Sequence, residues 1–311
     1  MKDIKLFDTL TKIEQITKGW SSDKKYCVET ADGQRMLLRV SDISEYDRKK
    51  AAHEMMERVA ALGIPMCVPI EFGICDDNAL FQGGVCSLQS WIDGEDLEDI
   101  LPLMSEAEQY DLGVQAGEIA RKIHTIPAPS TQEEWAARFN RKTDYKIEKY
   151  RECGIRFEGD DAVIRYIEQN RGLIDGRPQS FQHGDYHVGN MMYAGSTVHI
   201  IDFDFDYGDP WQDFESIRWA VDRSVYFATG MVRGYFNNKV PEEFWALLKL
   251  YLAEGFFHNI VWSVNTGVQA SIDTTLRQIR DVQNWFDGFK NTIPTWYMKD
   301  FYINSLEDDN E

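Results

Sequence analysis

Two short polar segments, each lying between apolar runs typical of strands, constrain this chain more than any other feature. The first, FQHGDYHVGNMMY, spans residues 181–193, and the second, IIDFDFDYGDP, spans residues 200–210. Together they place Asp185, Asn190 and Asp202 at intervals of five and twelve residues. Both patterns predict short strands beside loops, with the polar side chains on the loops.

The three polar residues have the chemistry needed to act on a nucleoside triphosphate. Magnesium prefers oxygen ligands, commonly one or two from the protein with phosphates and waters completing the shell. Asp202 and the amide oxygen of Asn190 suit that role, which leaves Asp185 to accept a proton from an attacking hydroxyl. Since phosphoryl transfer depends mostly on positioning and charge neutralisation, the trio predicts a phosphotransferase.

The two segments resemble motifs of the aminoglycoside phosphotransferase-like small-molecule kinases, relatives of the protein kinases. HGDYHVGN matches the HGDxxxxN catalytic loop, and IIDFDFDYGDP is similar to the IDF or IDW magnesium loop. The resemblance extends over residues 15–290. It implies Asp185 as the catalytic base, Asn190 and Asp202 as magnesium ligands, and ATP or GTP as the phosphoryl donor.

The chain as a whole predicts an α+β, bilobal protein-kinase-like fold. Residues 1–92 read as a nucleotide-binding lobe, a small antiparallel sheet with one key helix over residues 45–64, and Asp32-Gly33 predicts a hairpin between two strands. The polar stretch 93–99 marks the boundary. Residues 93–311 then predict a larger, mainly helical lobe that carries the catalytic and metal loops and the acceptor pocket.

The resemblance also implies a nucleotide site on the first lobe. Arg39, in LLRV, stands where the family has its phosphate-pairing lysine or arginine, and Glu54 on the next helix is its expected partner. Ser21 and Ser22, near the single Gly19 of TKGWSSDKK, are candidates for the loop that covers the phosphates. The backbone of Ser90 and Ile92 is expected to face the adenine edge.

Composition bears on the acceptor. The chain has 311 residues and a net charge of -19, which disfavours a nucleic-acid partner. The negative charge would attract a cationic small molecule, or it only keeps the protein soluble. An aminoglycoside antibiotic is the preferred acceptor, so that the chain would act in antibiotic resistance. Choline, homoserine, a sugar-amine or a macrolide remain open. The candidate acceptor carboxylates are Asp204, Asp206, Glu215 and Glu254.

Three further residues have expected roles at the catalytic loop. His183 is expected to hold the loop by hydrogen bonds, and Asp213 to tie its backbone in place as the corresponding family residue does. His187, inside the loop, is expected at a solvated position. The alternatives from other classes are a metal-dependent hydrolase, which needs several histidine ligands, and a non-catalytic kinase-like binding protein, which is disfavoured because the catalytic trio is intact.

The remaining expectations concern the compartment. Five cysteines without CxxC spacing argue against a zinc site and against a disulfide framework, and for a reducing compartment. The amino-terminal pattern carries charges throughout, unlike a signal peptide, and no apolar run is long enough to cross a membrane. A cytoplasmic protein is therefore expected. The oligomeric state does not follow from the sequence.

Overall fold

The computed structural model describes residues 9–17, 23–75 and 83–301. These residues divide into two compact units. The first contains the described residues up to Asp96 together with Met191–Ile201, and the second contains Leu97–Asn190 and the described residues from Asp202 onward. Met191–Ile201 lies in the first unit because its strands pair with a strand at residues 95–96.

The first unit is built on an antiparallel sheet of five strands in the order β1-β2-β3-β5-β4. The strands and the helix of this part of the chain are β1 Leu10–Ile16, β2 Lys24–Thr30, β3 Arg35–Ser41, α1 Tyr46–Ala60, β4 Pro69–Cys75 and β5 Gly84–Ser90. A second sheet is formed by β6 Glu95–Asp96, β8 Met191–Ala194 and β9 Thr197–Ile200. Buried residues alternate with half-buried ones along β2 and β3, which places one face of the sheet on a core.

The predicted hairpin at Asp32-Gly33 is confirmed. Gly33 has φ +85° and donates its N–H to the carbonyl of Thr30, while the N–H of Thr30 bonds the carbonyl of Gln34. Glycine is suited to this left-handed position because it has no Cβ. The turn therefore sets the register in which β2 pairs with β3.

The described residues contain one disulfide, although the cysteine spacing argued against a disulfide framework. Cys75 at the end of β4 and Cys86 on β5 form a disulfide, with their Cα atoms 6.0 Å apart. Cys75 is opposite Gly84 and Cys86 opposite Gly73, so the two cysteines are diagonal neighbours on one buried face. Sequence spacing of eleven residues could not predict this, because the contact depends on the register of the two strands.

The second unit is mainly helical. Its helices are α2 Leu97–Ile100, α3 Glu106–Ile123, α4 Trp135–Glu152, α5 Asp160–Asn170, α6 Ile217–Arg223, α7 Val225–Phe236, α8 Glu242–Asn265 and α9 Gln269–Trp285. It also contains the antiparallel pair formed by β7 Ser180–Gln182 and β10 Asp206–Gly208. The predicted α+β fold, an antiparallel sheet region followed by a helical region, is confirmed.

Helices α3 and α7 pack backbone against backbone. Each carries two glycines four residues apart, Gly113 and Gly117 on α3 and Gly230 and Gly234 on α7. A Cβ at any of them would lie 2.1–2.2 Å from a carbonyl oxygen of the opposite helix. This close approach positions the end of α3 and the side chains of α7 beneath the catalytic loop, as described next.

Candidate active site

The pairing of β7 with β10 brings the two polar segments together. Gln182, the last residue of β7, is opposite Asp206, the first residue of β10, so the loop after β7 and the loop before β10 leave the same end of the pair. The N–H of Asp204 donates to the carbonyl of His183 at 2.9 Å. Gly184, with φ +85°, lies directly on the Asp204 carbonyl, and a Cβ there would be 1.7 Å from that oxygen. The glycine of HGD is therefore required by this contact.

Asp185 and Asn190 are in direct contact. The side-chain amide nitrogen of Asn190 donates to the Asp185 carboxylate Oδ2 at 2.9 Å and to the Asp185 carbonyl at 3.0 Å. Both bonds use the nitrogen of the amide, so the amide oxygen is the atom left to bind a cation. Residues Val188–Asn190 form a 3-10 turn that returns the chain to Asp185 and makes this contact possible.

The Asp185 carboxylate is half exposed, at 50 % of its side-chain surface. Burial by itself raises the pKa of Asp185, but the hydrogen bond from His187, the charges of His187 and His183, and the hydrogen bond from Asn190 outweigh it. The pKa of Asp185 therefore lies below its ordinary value. The carboxylate is ionised at neutral pH and able to accept a proton.

Asp202 begins the second loop in a left-handed conformation, with φ +59°. Aspartate and asparagine adopt this region more readily than most residues because of their short polar side chains. Asp202 precedes Asp204 by two residues, and Asp204 is bonded to the catalytic loop. A carboxylate and an amide oxygen are the kinds of ligand that Mg²⁺ prefers, and the roles of Asp202 and Asn190 as its ligands stay predictions.

The expected roles of His183 and Asp213 are confirmed. The fully buried His183 ring accepts a hydrogen bond from the N–H of Asp185 through Nδ1, at 3.2 Å. The buried carboxylate of Asp213 accepts from the N–H groups of His183 and Gly184 at 2.8 and 3.0 Å. His124, which ends α3, lies 3.0 Å from Asp213 and 2.9 Å from the hydroxyl of Tyr235 on α7. The packed helices thus support the loop.

Asp213→Asn is expected to lower the free energy of unfolding by about 2–3 kcal/mol, because a buried charged acceptor is replaced by an amide that must turn a donor toward one N–H group. Chemical denaturation of the two proteins measures the difference. The exposed Asp99→Asn serves as the control and should leave the unfolding midpoint unchanged. Equal midpoints for Asp213→Asn and the wild-type chain would contradict the support assigned to this carboxylate.

His187 is not at the solvated position expected from the sequence. Its side chain is 22 % exposed, and its Nε2 lies 3.3 Å from Oδ2 of Asp185. Its Nδ1 accepts a hydrogen bond from the N–H of Gly189 at 3.0 Å. In the sequence, His187 is recognisable only by its position two residues after Asp185. The conformation of the loop is needed to show that the imidazole ring contacts the carboxylate.

The predicted pairing of Arg39 with Glu54 is wrong. Glu54 is 61 % exposed and contacts Lys50, four residues earlier on α1, at 3.9 Å. The carboxylate near Arg39 is instead Asp23, just before β2. Burial by itself raises the pKa of Asp23, but hydrogen bonds from Lys49 and Ser41 and the charges of Lys49 and Arg39 outweigh it and lower the pKa.

Glu54 does not reach Arg39 because of the rotation of α1 about its axis. Met56 and Val59 are its buried residues, and Lys49 reaches Asp23 from the first turn of the helix. Glu54 therefore faces solvent. Spacing along the sequence predicted that a glutamate of this helix would pair with β3, but it could not predict the rotation of the helix about its axis.

The other nucleotide candidates lie in the first unit or outside the described residues. Ser21 and Ser22 fall outside them. The N–H of Ser90 donates to the carbonyl of Val68 at 2.8 Å, and the carbonyl of Ile92 accepts from the N–H of Gly94 at 3.1 Å. The roles of Ser90 and Ile92 at an adenine edge, and of Arg39 at the phosphates, stay predictions.

Three of the four candidate acceptor carboxylates are bound by cations of the chain itself. Asp206 is held by Arg138 at 2.7 Å and Lys142 at 3.1 Å. Glu215 is bonded to Arg218 at 2.7 Å. These ion pairs neutralise the negative charges that would otherwise attract a cationic acceptor.

Glu254 and Asp204 are the two remaining candidates. Glu254 is buried on α8 and binds Lys146 at 2.7 Å. Asp204 is exposed, and within the described part of the chain its carboxylate makes no hydrogen bond or ion pair. Of the four predicted residues, Asp204 therefore retains its charge for an external partner.

The neighbouring Asp209 serves the structure of the second unit. It is fully buried, accepts two hydrogen bonds from Arg177 at 2.6 and 3.0 Å, and accepts one from the hydroxyl of Tyr251 at 2.7 Å. The guanidinium of Arg177 also lies 3.9 Å from the ring centre of Trp211. These contacts fix the chain immediately after β10 and so help to hold the second loop.

Residues 9–17, 23–75 and 83–301 contain no group of three or more His, Cys, Asp or Glu side chains arranged to hold a metal ion. The metal-dependent hydrolase, which needs several histidine ligands, finds no such cluster in these ranges. In the same ranges no helix combines the length and the apolar character that crossing a membrane requires.

Comparison with known proteins shows the family of this chain and its fold. Residues 12–247 match the phosphotransferase enzyme family, and no curated protein matches significantly. A choline/ethanolamine kinase family protein from Mesorhizobium loti is 16 % identical and covers 92 % of this chain and 93 % of its own, with a TM-score of 0.65. The gentamicin complex of APH(2")-IIa is 15 % identical, covers 87 % and 91 %, and has a TM-score of 0.61. APH(4)-Ia with ADP and hygromycin B is 13 % identical, covers 89 % and 94 %, and has a TM-score of 0.61.

Proposed function

We propose a cationic acceptor for this chain, which belongs to the phosphotransferase enzyme family and is a small-molecule kinase. In this proposal the γ-phosphoryl group of ATP or GTP is transferred to a hydroxyl of the acceptor, with Mg²⁺ bound at the nucleotide. An aminoglycoside is the preferred acceptor, and the chain would then act in antibiotic resistance. Choline, homoserine, a sugar-amine and a macrolide are the alternatives.

The observation that carries the proposal is the state of Asp185. The carboxylate is half exposed, its pKa is lowered, and Asn190 holds it in one orientation. An acceptor hydroxyl that approaches it can donate a hydrogen bond to the carboxylate and later its proton, while the hydroxyl oxygen bonds to phosphorus and the nucleoside diphosphate leaves. Positioning of the hydroxyl is the main contribution of Asp185 to this step.

The residues present fit a magnesium ion. Asn190 and Asp202 would hold it, since the amide nitrogen of Asn190 is bound to Asp185 and its oxygen is left for the cation. When bound, Mg²⁺ neutralises negative charge on the transferred phosphate. With Asn190 and Asp202 as the protein ligands, the carboxylate of Asp185 would stay available to the acceptor.

Charge supports a cationic acceptor. The chain carries a net charge of -19, which steers cations toward it over distances comparable to the Debye length. Close to the catalytic loop, Asp204 is the candidate carboxylate that no cation of the described chain compensates. Proteins of the same fold bind gentamicin, or ADP with hygromycin B, and these ligands are aminoglycosides or nucleotides.

Asp204→Asn is expected to raise the KM of a cationic acceptor about 2- to 5-fold and to leave the nucleotide KM and kcat unchanged, because one exposed charge contributes up to about 1 kcal/mol. The measurement is release of nucleoside diphosphate with aminoglycosides, choline, homoserine, amino sugars and macrolides, at low and high salt. Asp175→Asn, which changes an exposed carboxylate outside both loops, is the matched control. Release only with homoserine, which has no net positive charge, would contradict the proposal.

The reaction would take place in the cytoplasm, where nucleoside triphosphate and magnesium are supplied. The disulfide between Cys75 and Cys86 is unusual for that compartment. Both cysteines are buried, at 5 % and 0 % exposure, which limits the access of reducing thiols. Cys27, Cys67 and Cys153 are not part of this disulfide.

A further inference from the structure

We propose that His187 is a positioning residue for Asp185, holding its Oδ2 by a hydrogen bond from Nε2 so that Oδ1 is the oxygen that receives the acceptor proton. This inference rests on the proposed function, because it concerns how the base of that reaction is oriented. It assigns distinct roles to the two oxygens of one carboxylate. It also gives a role to a histidine that the motif comparison left without one.

The hydrogen bonds of the loop determine the tautomer of His187. A backbone N–H can only donate, so the bond from Gly189 to Nδ1, 3.0 Å long, requires a lone pair on Nδ1. In the neutral ring the proton is then on Nε2. That nitrogen lies 3.3 Å from Oδ2 of Asp185, where it acts as the donor.

The position of the ring is fixed by its neighbours. A Cβ at Gly189 would lie 2.8 Å from Cε1 of His187, so the ring occupies the space that glycine leaves. The ring centre of Trp219 is 5.8 Å away on another side. A ring held in this way loses little further freedom when it bonds the carboxylate, so the contact with Asp185 is preorganised.

Both donors of the loop converge on the same oxygen. Asn190 donates to Oδ2 at 2.9 Å, and His187 reaches the same Oδ2 at 3.3 Å. Within the described residues, Oδ1 of Asp185 makes no hydrogen bond. Two donors on Oδ2 prevent rotation of the carboxylate about its terminal bond, and they leave Oδ1 directed at the acceptor. Loss of one donor allows the carboxylate to turn.

Two conservative substitutions separate the two hydrogen bonds of the ring. In His187→Gln the amide nitrogen reaches about as far as Nε2 and can still donate to Asp185. In His187→Asn the shorter amide places its oxygen near the position of Nδ1, where it can accept from Gly189 but no longer reaches Asp185. His187→Leu removes both bonds.

In this proposal the rate depends on the hydrogen bond from His187 to Asp185, not on the one from Gly189 to His187. His187→Asn and His187→Leu should lower kcat about 10- to 100-fold, the usual effect of losing a residue that orients a catalytic group, with the nucleotide KM within about 2-fold of wild type. His187→Gln should recover most of that loss. In an Asp185→Asn background, His187→Leu should change the residual rate by less than 2-fold, because its effect passes through the carboxylate.

The opposite pattern would overturn the inference. If His187 only supports the loop through Gly189, His187→Asn keeps full kcat and His187→Gln loses it. A full decrease caused by His187→Leu in the Asp185→Asn background would also contradict it. Thermal melting checks that each variant is folded, and the Gln and Asn variants decide the question if the Leu variant is not. Failure of the proposed function is a separate result, since wild-type protein would then transfer phosphate to none of the acceptors.

Discussion

Asp185→Asn is expected to lower the rate of phosphoryl transfer by about 10²- to 10⁴-fold, the contribution typical of a positioned general base. The substitution keeps the shape of the side chain but removes the lone pair and charge that accept the proton. Asn190 would still find an oxygen at this position, so the loop should keep its conformation. Steady-state assays of nucleoside diphosphate release measure the decrease.

The affinity for nucleotide distinguishes two possible roles of Asp185, a base that contacts the acceptor and a residue that binds the nucleotide. Asp185→Asn should leave the nucleotide Kd within about 3-fold of wild type, because in this proposal the carboxylate contacts the acceptor and not the phosphates. Fluorescence titration with a nucleotide analogue gives that value. Asp204→Asn, which changes a nearby exposed carboxylate on the adjoining loop, is the control and should keep its kcat. Equal losses of affinity and rate in Asp185→Asn would show that the assignment as base is mistaken.

Asp202→Asn is expected to lower transfer at least 100-fold and to raise the magnesium concentration required for half-maximal rate. Even residues that only support a metal ligand commonly contribute 10- to 100-fold, and loss of a charged ligand should exceed that. Asparagine is the informative substitution because Asp202 has φ +59°, a conformation that asparagine also tolerates, whereas alanine would add backbone strain. The effect can then be attributed to charge.

The measurement is a magnesium titration at fixed nucleotide. Asp202→Asn should raise the magnesium concentration at half-maximal rate, and Asp204→Asn, two residues away, should leave it unchanged. Circular dichroism and thermal melting check that the loop substitution leaves the fold intact. Identical magnesium dependence in Asp202→Asn and the wild-type chain would remove Asp202 from the metal site and leave Asn190 as its remaining candidate.

The parts of the site that were predictable from sequence are those set by local chain geometry. Asp185 and Asn190 are five residues apart on one loop, and a 3-10 turn over Val188–Asn190 is enough to bring them into contact. The turn at Gly33 is likewise local, since it requires a left-handed φ at one residue. Such motifs predict local structure well, because few other residues satisfy the same short-range constraints.

The predictions that failed concern contacts whose geometry is set by distant parts of the chain. Glu54 was expected beside Arg39, but the rotation of α1 is decided by its buried Met56 and Val59, which leave Glu54 in solvent. The disulfide of Cys75 with Cys86 depends on strand register, as does every diagonal contact in a sheet. The ion pair of Glu254 with Lys146, which the sequence did not predict, likewise joins helices α8 and α4 across more than a hundred residues of sequence.

The sequence by itself determined the family and the class of reaction, and it predicts Asp185 as the base, because the residues concerned lie within two short segments of the chain. The tertiary structure alone decided which charges remain available and which residues orient the base. Asp213 reaches the loop from a separate turn, His124 and Tyr235 support it from two packed helices, and His187 turns back onto Asp185. Such contacts depend on how helices and strands pack, and packing is a property of the whole fold that no single stretch of sequence contains.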